Sequence, residues 1–186
     1  MDKSSNRSRY RKTSTPSYKI KTIKKIKEKI KSKKEVSGIE IEKFLIGCPN
    51  FVGCYASDYT NDISIQSFPA FVIFNLDPSS KPGSHWIALR IDRSSVEVFD
   101  PLGFNLSNWP IIPLSLIDLL RRLGNHRKLL FSRQIQNSSS LLCGYFCIYY
   151  ILMRQNYSLK KIEKKFSKRV YKNDSILLYR FSCNKF

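Results

Sequence analysis

The chain has no apolar stretch that could span a membrane, and it has few of the residues that bind metals. Its longest apolar stretch, residues 143–153, is far short of the ~20 residues that a spanning helix requires. There are only two histidines, and the cysteines match no recognised zinc spacing. Internal repeats and low-complexity arrays are also missing. These absences argue against a transmembrane helix, a zinc domain and a repeat protein.

Acidic residues are scarce, and the excess of basic residues is confined to the two ends of the chain. The 186 residues include 33 Lys and Arg against 14 Asp and Glu, so the net charge is +19. Residues 1–36 hold fourteen basic and three acidic side chains, and residues 154–186 hold ten and two. Residues 37–153 are electrically neutral and contain most of the apolar residues. Length and composition therefore predict one globular domain, residues 37–186, preceded by a basic arm, residues 1–36.

The basic ends predict a polyanionic partner. Lys and Arg arms attract nucleic acid through counterion release, whatever its sequence, and the alternative is an arm that only keeps the protein in solution. Residues 1–18 are polar and have almost nothing to bury, so we expect them to be disordered. The isoleucines that follow at helical spacing predict an amphipathic helix that either docks on the domain or folds on DNA: Ile20, Ile23, Ile26 and Ile30.

The cysteines indicate a reducing compartment. They form an odd set in a chain without the apolar core of a signal peptide: Cys48, Cys54, Cys143, Cys147 and Cys183. Disulfide frameworks belong to oxidising compartments, so we expect an intracellular protein with free thiols. We expect no metal site, and we expect Cys147 to pack inside a helix.

Strand and helix patterns alternate along the chain and predict an α+β fold with a small central mixed sheet flanked by helices. Strands are predicted at residues 68–76, 85–91, 96–100 and 129–135. Helices are predicted at residues 114–123, 143–155 and 158–170, with an apolar finish at 176–181. Residues 39–46 are compatible with either a helix or a strand.

Side-chain chemistry predicts the register of one hairpin. A turn centred on Arg93 and Ser94 places apolar residues together on one face of the two strands. The predicted pairs are Ile91 with Val96, Leu89 with Val98, Ile87 with Asp100, His85 with Leu102 and, on the reverse face, Arg90 with Glu97 and Ala88 with Phe99. His85 and Asp100 then become diagonal neighbours on the same face. Such an Asp could hold the Nδ1 proton of the imidazole, although a merely structural polar pair is the commoner case.

Two further residues fit cysteine-dependent catalysis. Cys143 begins an apolar helix, where the helix dipole and the free N–H groups favour a thiolate, and Gly144 beside it would leave the site sterically open. Gln136 precedes Cys143 by seven residues, and its amide could donate to an oxyanion together with the Cys143 N–H. The serines between them are possible N-caps of the helix. The alternatives are a surface glutamine and a packed thiol.

The order of these motifs resembles the adenovirus maturation protease (adenain) family. The resemblance rests on His85-Trp86 before a strand, on residues 98–103 (VFDPLG), and on Gln136 separated by six residues from Cys143-Gly-Tyr-Phe-Cys. Similar proteases occur in Polinton and adintovirus-type elements, and the SUMO-specific, Ulp1-like proteases are more distant relatives. The resemblance covers roughly residues 44–153.

The resemblance implies a papain-like/adenain-like cysteine endopeptidase that works through a thioester acyl-enzyme. Cys143 would be the nucleophile, His85 the general base, Asp100 its orienting acid and Gln136 the oxyanion donor. The implied substrates are viral capsid or core precursors cut at small, Gly-containing sites, in the virion and host nucleus. No cofactor is needed for the chemistry, and DNA and a viral peptide are the implied activators. Adenoviral enzymes have Glu where this chain has Asp100, and residues 55–142 contain no cysteine to which such a peptide could be disulfide-linked.

Three alternatives remain open from the sequence. A protease for ubiquitin-like modifiers would use the same chemistry on a different substrate. A DNA-binding or packaging protein with a vestigial protease core belongs to another class, although such a core need not keep all four residues. A structural zinc site with the cysteines is disfavoured by their spacing.

Overall fold

We analysed a computed structural model, which describes residues 26–32, 34–103 and 113–183. The predicted disordered arm, residues 1–18, and the isoleucines Ile20 and Ile23 lie outside these ranges. Within the described residues, no helix is long and apolar enough to cross a membrane.

The core of the fold is a five-stranded mixed sheet. Its strands lie side by side in chain order: β1 (Phe51–Tyr55), β2 (Ala70–Asn75), β3 (Trp86–Ile91), β4 (Ser95–Phe99) and β5 (Lys128–Phe131). The outer pairs, β1 with β2 and β4 with β5, are parallel, and the two inner pairs are antiparallel. The predicted small mixed sheet is therefore confirmed.

Within the described residues, five labelled α-helices follow the short helix at residues 26–31. They are α1 (Gly38–Leu45), α2 (Leu114–Gly124), α3 (Cys143–Arg154), α4 (Leu159–Glu163) and α5 (Asn173–Ser182). Residues 39–46, for which sequence left helix or strand open, are helical because Ser37 and Glu40 form a capping box at the start of α1. Helix α2 follows Pro113 as predicted.

The two faces of the sheet are covered by different helices. Helix α3 packs on one face, and ten of its twelve residues are buried, so it is an interior helix rather than a surface one. The ring of Tyr150 stacks on Phe99 of β4 with 4.3 Å between the ring centroids. Helix α2 covers the other face, where Leu116, Leu119 and Leu120 pack on the apolar side chains of β2, β3 and β4.

The described part of the predicted amphipathic helix packs on the domain. Residues 26–31 are helical, and Ile26 and Ile30 are 0% and 1% exposed in the same core as α3. Val36 is also buried there. Of the two alternatives for this helix, docking on the domain is the one that the structure shows for Ile26 and Ile30.

A buried ion pair links the sheet to helix α3. Glu97 on β4 is 4% exposed, and its carboxylate accepts hydrogen bonds from Arg154 at 2.6 Å and 2.8 Å and from the Tyr150 hydroxyl at 2.9 Å. The Arg90 guanidinium lies 3.8 Å away on the neighbouring strand. Burial opposes ionisation of Glu97, but the arginines and Tyr150 outweigh it and lower the pKa of this carboxyl.

Two predicted elements are shorter than expected. Strand β5 ends at Phe131 rather than residue 135, because the next side chain, Ser132, bonds to the Asp100 backbone. The predicted helix over 158–170 is helical only at Leu159–Glu163. There the Arg133 guanidinium donates to the carbonyls of Glu163 and Phe166, which ends the helix and fixes the chain that follows.

Candidate active site

Cys143 is the first residue of helix α3 and lies at the floor of a cleft. It is 8% exposed. Helix α3 begins after Leu142, and among the described residues no side chain caps it. The predicted serine N-cap is therefore wrong. The consequence is that the N–H groups of the first turn, including that of Cys143, stay available to a ligand in the cleft.

His85 contacts both Asp100 and Cys143. Its Nε2 lies 2.7 Å from Asp100 Oδ1, and its ring also interacts with the Cys143 side chain in the same cleft. The expectation that Asp100 holds Nδ1 is wrong. Because Nε2 is engaged with Asp100, Nδ1 is the ring nitrogen left to face the thiol.

The environment of His85 favours the charged imidazolium. Burial by itself disfavours the charge, but the hydrogen bonds to Asp100 and Cys143 and their negative charges outweigh it. The net effect raises the pKa of His85 to about 9. A pKa raised this far favours the protonated ring at neutral pH.

The predicted hairpin register is confirmed for the residues of β3 and β4 that pair with each other. Strands β3 and β4 pair as predicted from Ile91 with Val96 to Ala88 with Phe99, and the ladder stops there. The predicted pairs Ile87 with Asp100 and His85 with Leu102 lie outside the ladder, because Pro101 has no N–H to continue it. Instead, the Leu76 N–H donates to the His85 carbonyl.

Asp100 is held by the turn that follows it. The carboxylate is 0% exposed, and Oδ1 accepts from the Leu102 N–H at 2.8 Å as well as from His85. The turn ends at Gly103, which has a φ of +82°, and a Cβ there would lie 2.7 Å from the Gln134 N. The turn of the VFDPLG motif can therefore pack closely only with glycine at this position.

Gln136 lies in the same cleft and is 1% exposed. Its Nε2 donates one hydrogen to the Ser140 carbonyl at 2.6 Å. An amide nitrogen has two hydrogens, so this bond orients the group and leaves the second hydrogen for a ligand. The structure thus brings together all four residues that the sequence singled out: His85, Asp100, Gln136 and Cys143.

The chain before α1 forms one wall of this cleft, which sequence reasoning missed. The cavity has a volume of about 320 Å³. Its lining comes from four parts of the chain: Glu35, Val36, Ser37 and Glu40; Pro82, Gly83, Ser84, His85 and Trp86; Leu102; and Gln136, Ser138, Ser140, Leu141 and Cys143. The capping box of Ser37 and Glu40 was a visible signal that a helix starts here, but it does not predict where that helix docks.

Gly144 is covered rather than open. A Cβ at this position would lie 2.3 Å from Val36 Cγ1 and 3.2 Å from Trp86 Cδ1. The expectation that Gly144 leaves the site sterically open is therefore wrong. The missing side chain instead lets Val36 seat against the first turn of α3, next to Cys143.

The other residues singled out in the sequence have simpler positions. Trp86 lines the cleft beside His85. Cys147 is 0% exposed, and burial raises the pKa of its thiol, so it packs inside the helix as predicted.

Comparison with known proteins agrees with the family resemblance. The model of the adenovirus endoprotease family matches residues 51–170. The protease of Bovine adenovirus 7 is 29% identical over 107 residues, which are 53% of this chain and 51% of that protein. The chain thus spans about half the length of this relative.

A solved structure agrees with the fold. A protease of ASFV superposes with a TM-score of 0.55 at 17% identity, over 81% of this chain and 67% of that one. The SUMO protease Ulp1 has a TM-score of 0.44 at 13% identity, over 92% and 97%. The fold is that of the adenain-like cysteine proteases. With 120 of its residues matched by the family model, the chain belongs to the adenovirus endoprotease family.

Proposed function

We propose that this protein is a cysteine endopeptidase with Cys143 as its nucleophile. The observation that supports this most is His85, which hydrogen-bonds to Asp100 at 2.7 Å and interacts with the Cys143 side chain in the same cleft. Gln136 and the start of α3 lie beside them in one cavity. Membership of the adenovirus endoprotease family supports the same activity.

In the first half of the proposed reaction, the Cys143 thiolate attacks the peptide carbonyl carbon and forms a C–S bond. The carbonyl electron pair moves to oxygen, where the Cys143 N–H and the second Nε2 hydrogen of Gln136 stabilise the oxyanion. Collapse of this intermediate breaks the C–N bond, and the His85 imidazolium gives its Nδ1 proton to the leaving amine. The product is a thioester acyl-enzyme.

In the second half, the neutral His85 is the general base. It takes a proton from water while the oxygen attacks the thioester, and the acid product and the Cys143 thiolate are released. A pKa of about 9 for His85 implies that it begins the cycle already protonated. Asp100 orients the ring and stabilises its positive charge in both halves.

A direct test is to label the protein with a peptide vinyl sulfone and locate the adduct by mass spectrometry. Labelling of Cys143 with parallel hydrolysis of a fluorogenic Gly-Gly peptide amide is the expected result. Labelling spread over the exposed thiol Cys183 as well, without hydrolysis, would contradict the proposal. A ubiquitin-like protein with a Gly-Gly end is the matched second substrate, because its preferential cleavage would favour the modifier-protease alternative.

For substrates and location, we propose viral capsid or core precursor proteins processed in the virion or the host nucleus. The support is family membership, and the Gly-containing cleavage sites are part of that resemblance. Cleavage of precursor proteins from a related virus, but not of their mature forms, is the expected result.

We also propose that the basic ends bind nucleic acid. In the described part, six cations between residues 160 and 172 are exposed: Lys160, Lys161, Lys164, Lys168, Arg169 and Lys172. Clustered exposed cations are the electrostatic footprint of phosphate binding. Replacing Lys160, Lys161 and Lys164 by Ala should lower the log-log salt slope of DNA binding by up to about 2.7, since each phosphate contact contributes ~0.9.

To test DNA binding by the basic arm, the deletion must be shorter than residues 1–36. Removing residues 1–36 would take Ile26, Ile30 and Val36 out of the core. Removing residues 1–18 deletes five Lys and Arg and leaves these three in place. This deletion should flatten the salt slope by as much as about 4.5 and leave hydrolysis of a short peptide unchanged. An unchanged slope would mean that the arm only solubilises the protein.

A peptide activator, if present, is proposed to bind without a disulfide. Strand β5 is at the edge of the sheet, and its Leu129 and Phe131 are each 37% exposed. An edge strand with exposed apolar side chains can accept an added peptide strand. Residues 55–142 contain no cysteine, so activation by the related viral peptide should be insensitive to reducing agent.

A further inference from the structure

The loop that links Gln136 to Cys143 is tied to the start of helix α5. This loop, residues 135–142, supplies the amide of Gln136 at one end and the first N–H groups of α3 at the other. Two consecutive residues of α5, Asn173 and Asp174, bond to opposite ends of it. Both lie beyond residue 170, where the match to the family model ends.

Asn173 holds the Gln136 end of the loop. It is 0% exposed, and its Nδ2 donates to the Ile135 carbonyl at 2.7 Å. The same side chain also makes two hydrogen bonds to Ser167. The Ser167 N–H donates to Asn173 Oδ1, and the Ser167 carbonyl accepts from Asn173 Nδ2. On the other side, the N–H groups of Ile135 and Gln136 donate to the Pro101 carbonyl, next to Asp100. The backbone under Gln136 is thus fixed between Asp100 and helix α5.

Asp174 holds the Cys143 end through Ser140. The Ser140 hydroxyl donates to Asp174 Oδ1 at 3.0 Å and accepts from the Leu142 N–H at 3.3 Å. The carbonyl of the same Ser140 accepts from Gln136 Nε2. Ser140 therefore connects the Gln136 amide and the turn before α3 to the Asp174 carboxylate. The amide and the turn must both be aligned if they are to bind an oxyanion.

We propose that Asp174 is a positioning residue that aligns the oxyanion donors through Ser140. The inference rests on the proposed cysteine protease function, because it concerns that site's geometry. Asp174 does not touch the reacting atoms. Its loss should free Ser140 to rotate, so that the Gln136 amide and the Cys143 N–H no longer point at one place. Transition-state stabilisation falls steeply when such donors are misaligned.

The test compares Asp174→Ala, Asp174→Asn and Ser140→Ala with Ser175→Ala, an exposed control in the same helix. Two rates are measured for each: kcat and KM for a fluorogenic Gly-Gly peptide amide, and alkylation of Cys143 by iodoacetamide. Alkylation needs the thiolate but forms no oxyanion. Asp174→Ala and Ser140→Ala should lower kcat roughly ten- to a hundredfold with little change in KM or in alkylation. Asp174→Asn should restore most of kcat, since its Oδ1 also accepts a hydrogen bond.

A double-mutant cycle separates positioning from a general loss of structure. If Asp174 acts through the oxyanion donors, Asp174→Ala should cost less than about threefold in a Gln136→Ala background. An equal loss in both backgrounds, or a parallel loss of alkylation, would overturn the inference, as would an unchanged kcat in both Asp174→Ala and Ser140→Ala. If the wild-type protein alkylates selectively at Cys143 but hydrolyses no peptide, the proposed function itself fails and the inference fails with it.

Discussion

His85 Nε2 lies 2.7 Å from Asp100 Oδ1, although neither residue is part of the ladder that joins β3 to β4. Each is the first residue outside its strand, and each has its backbone fixed by a third segment. The Leu76 N–H donates to the His85 carbonyl, and the Ser132 hydroxyl bonds to both the N–H and the carbonyl of Asp100. The pair is thus held by the sheet around it, and it is aligned before any substrate binds.

The two cysteines of helix α3 should behave differently when replaced. Cys143→Ala is expected to abolish peptide hydrolysis without unfolding the protein, because the side chain is small and lies at the cleft. Cys147→Ala is the matched control one turn later, and it should keep its activity. Hydrolysis assays with circular dichroism on both variants make the check. Wild-type cleavage by Cys143→Ala would exclude the proposed nucleophile.

The decrease of kcat/KM at alkaline pH should report the deprotonation of His85. The pKa of His85 is raised to about 9, so activity that needs the imidazolium is expected to fall as the pH rises through about 9. Asp100→Asn removes a negative charge and a charged hydrogen bond, which should lower turnover and move this limb to lower pH. A pH series of kcat/KM on both proteins measures the shift. An unmoved limb would mean that Asp100 does not set the protonation of His85.

The free energy of unfolding should fall as the pH rises from 6.5 to about 9. A folded-state pKa of about 9 against an unfolded value of 6.5 means that the stabilising contribution is complete below pH 6.5 and lost by about pH 9. The full contribution is on the order of 3 kcal/mol. Urea unfolding of wild type and His85→Gln at several pH values gives the difference. That difference should shrink as the pH rises, and a constant difference would contradict the linkage.

Glu97 should matter more to stability than an exposed acid. Glu97→Gln leaves the Arg154 guanidinium, whose side chain is only 15% exposed, without its carboxylate. Breaking such a buried pair costs about 3–5 kcal/mol. Asp118, which pairs with Arg121 at the surface with side chains 70% and 77% exposed, is the control. Asp118→Asn should change the free energy of unfolding by a small fraction of that amount, and equal losses would show that the Glu97 pair is not special.

Gly144 and Val36 should be coupled. Gly144→Ala places a methyl group 2.3 Å from Val36 Cγ1, so α3 or the segment before α1 must move. Overpacking of this kind costs about 1–3 kcal/mol, and the shift is expected to reduce activity because Cys143 is adjacent. Val36→Ala removes the opposing atom, so the double variant should be less destabilised than the sum of the two single ones. Additive losses in urea unfolding would show that the two residues do not meet.

Much of the site could be predicted from local sequence. Strand β2, the apolar helix from Cys143 and the β3–β4 register follow from periodicity and from pairing between neighbours in the chain, and these are short-range properties. Because His85 and Asp100 flank one hairpin and Gln136 lies seven residues before Cys143, the motif order alone brought the four residues under consideration. Their meeting in one cavity was a hypothesis until the helix could be placed on the sheet.

Other features depend on segments far apart in the chain, and only the tertiary structure decided them. Nothing near Val36 in sequence indicates that it seats on Gly144, and nothing near Asn173 indicates that it bonds to the Ile135 carbonyl. The choice of Nε2 over Nδ1 at Asp100 likewise depends on where α3 places Cys143. Amphipathic patterns state which side chains must be buried, but not against which partner. The partner is determined by how the helices and loops pack on the sheet, and this packing depends on the whole tertiary structure.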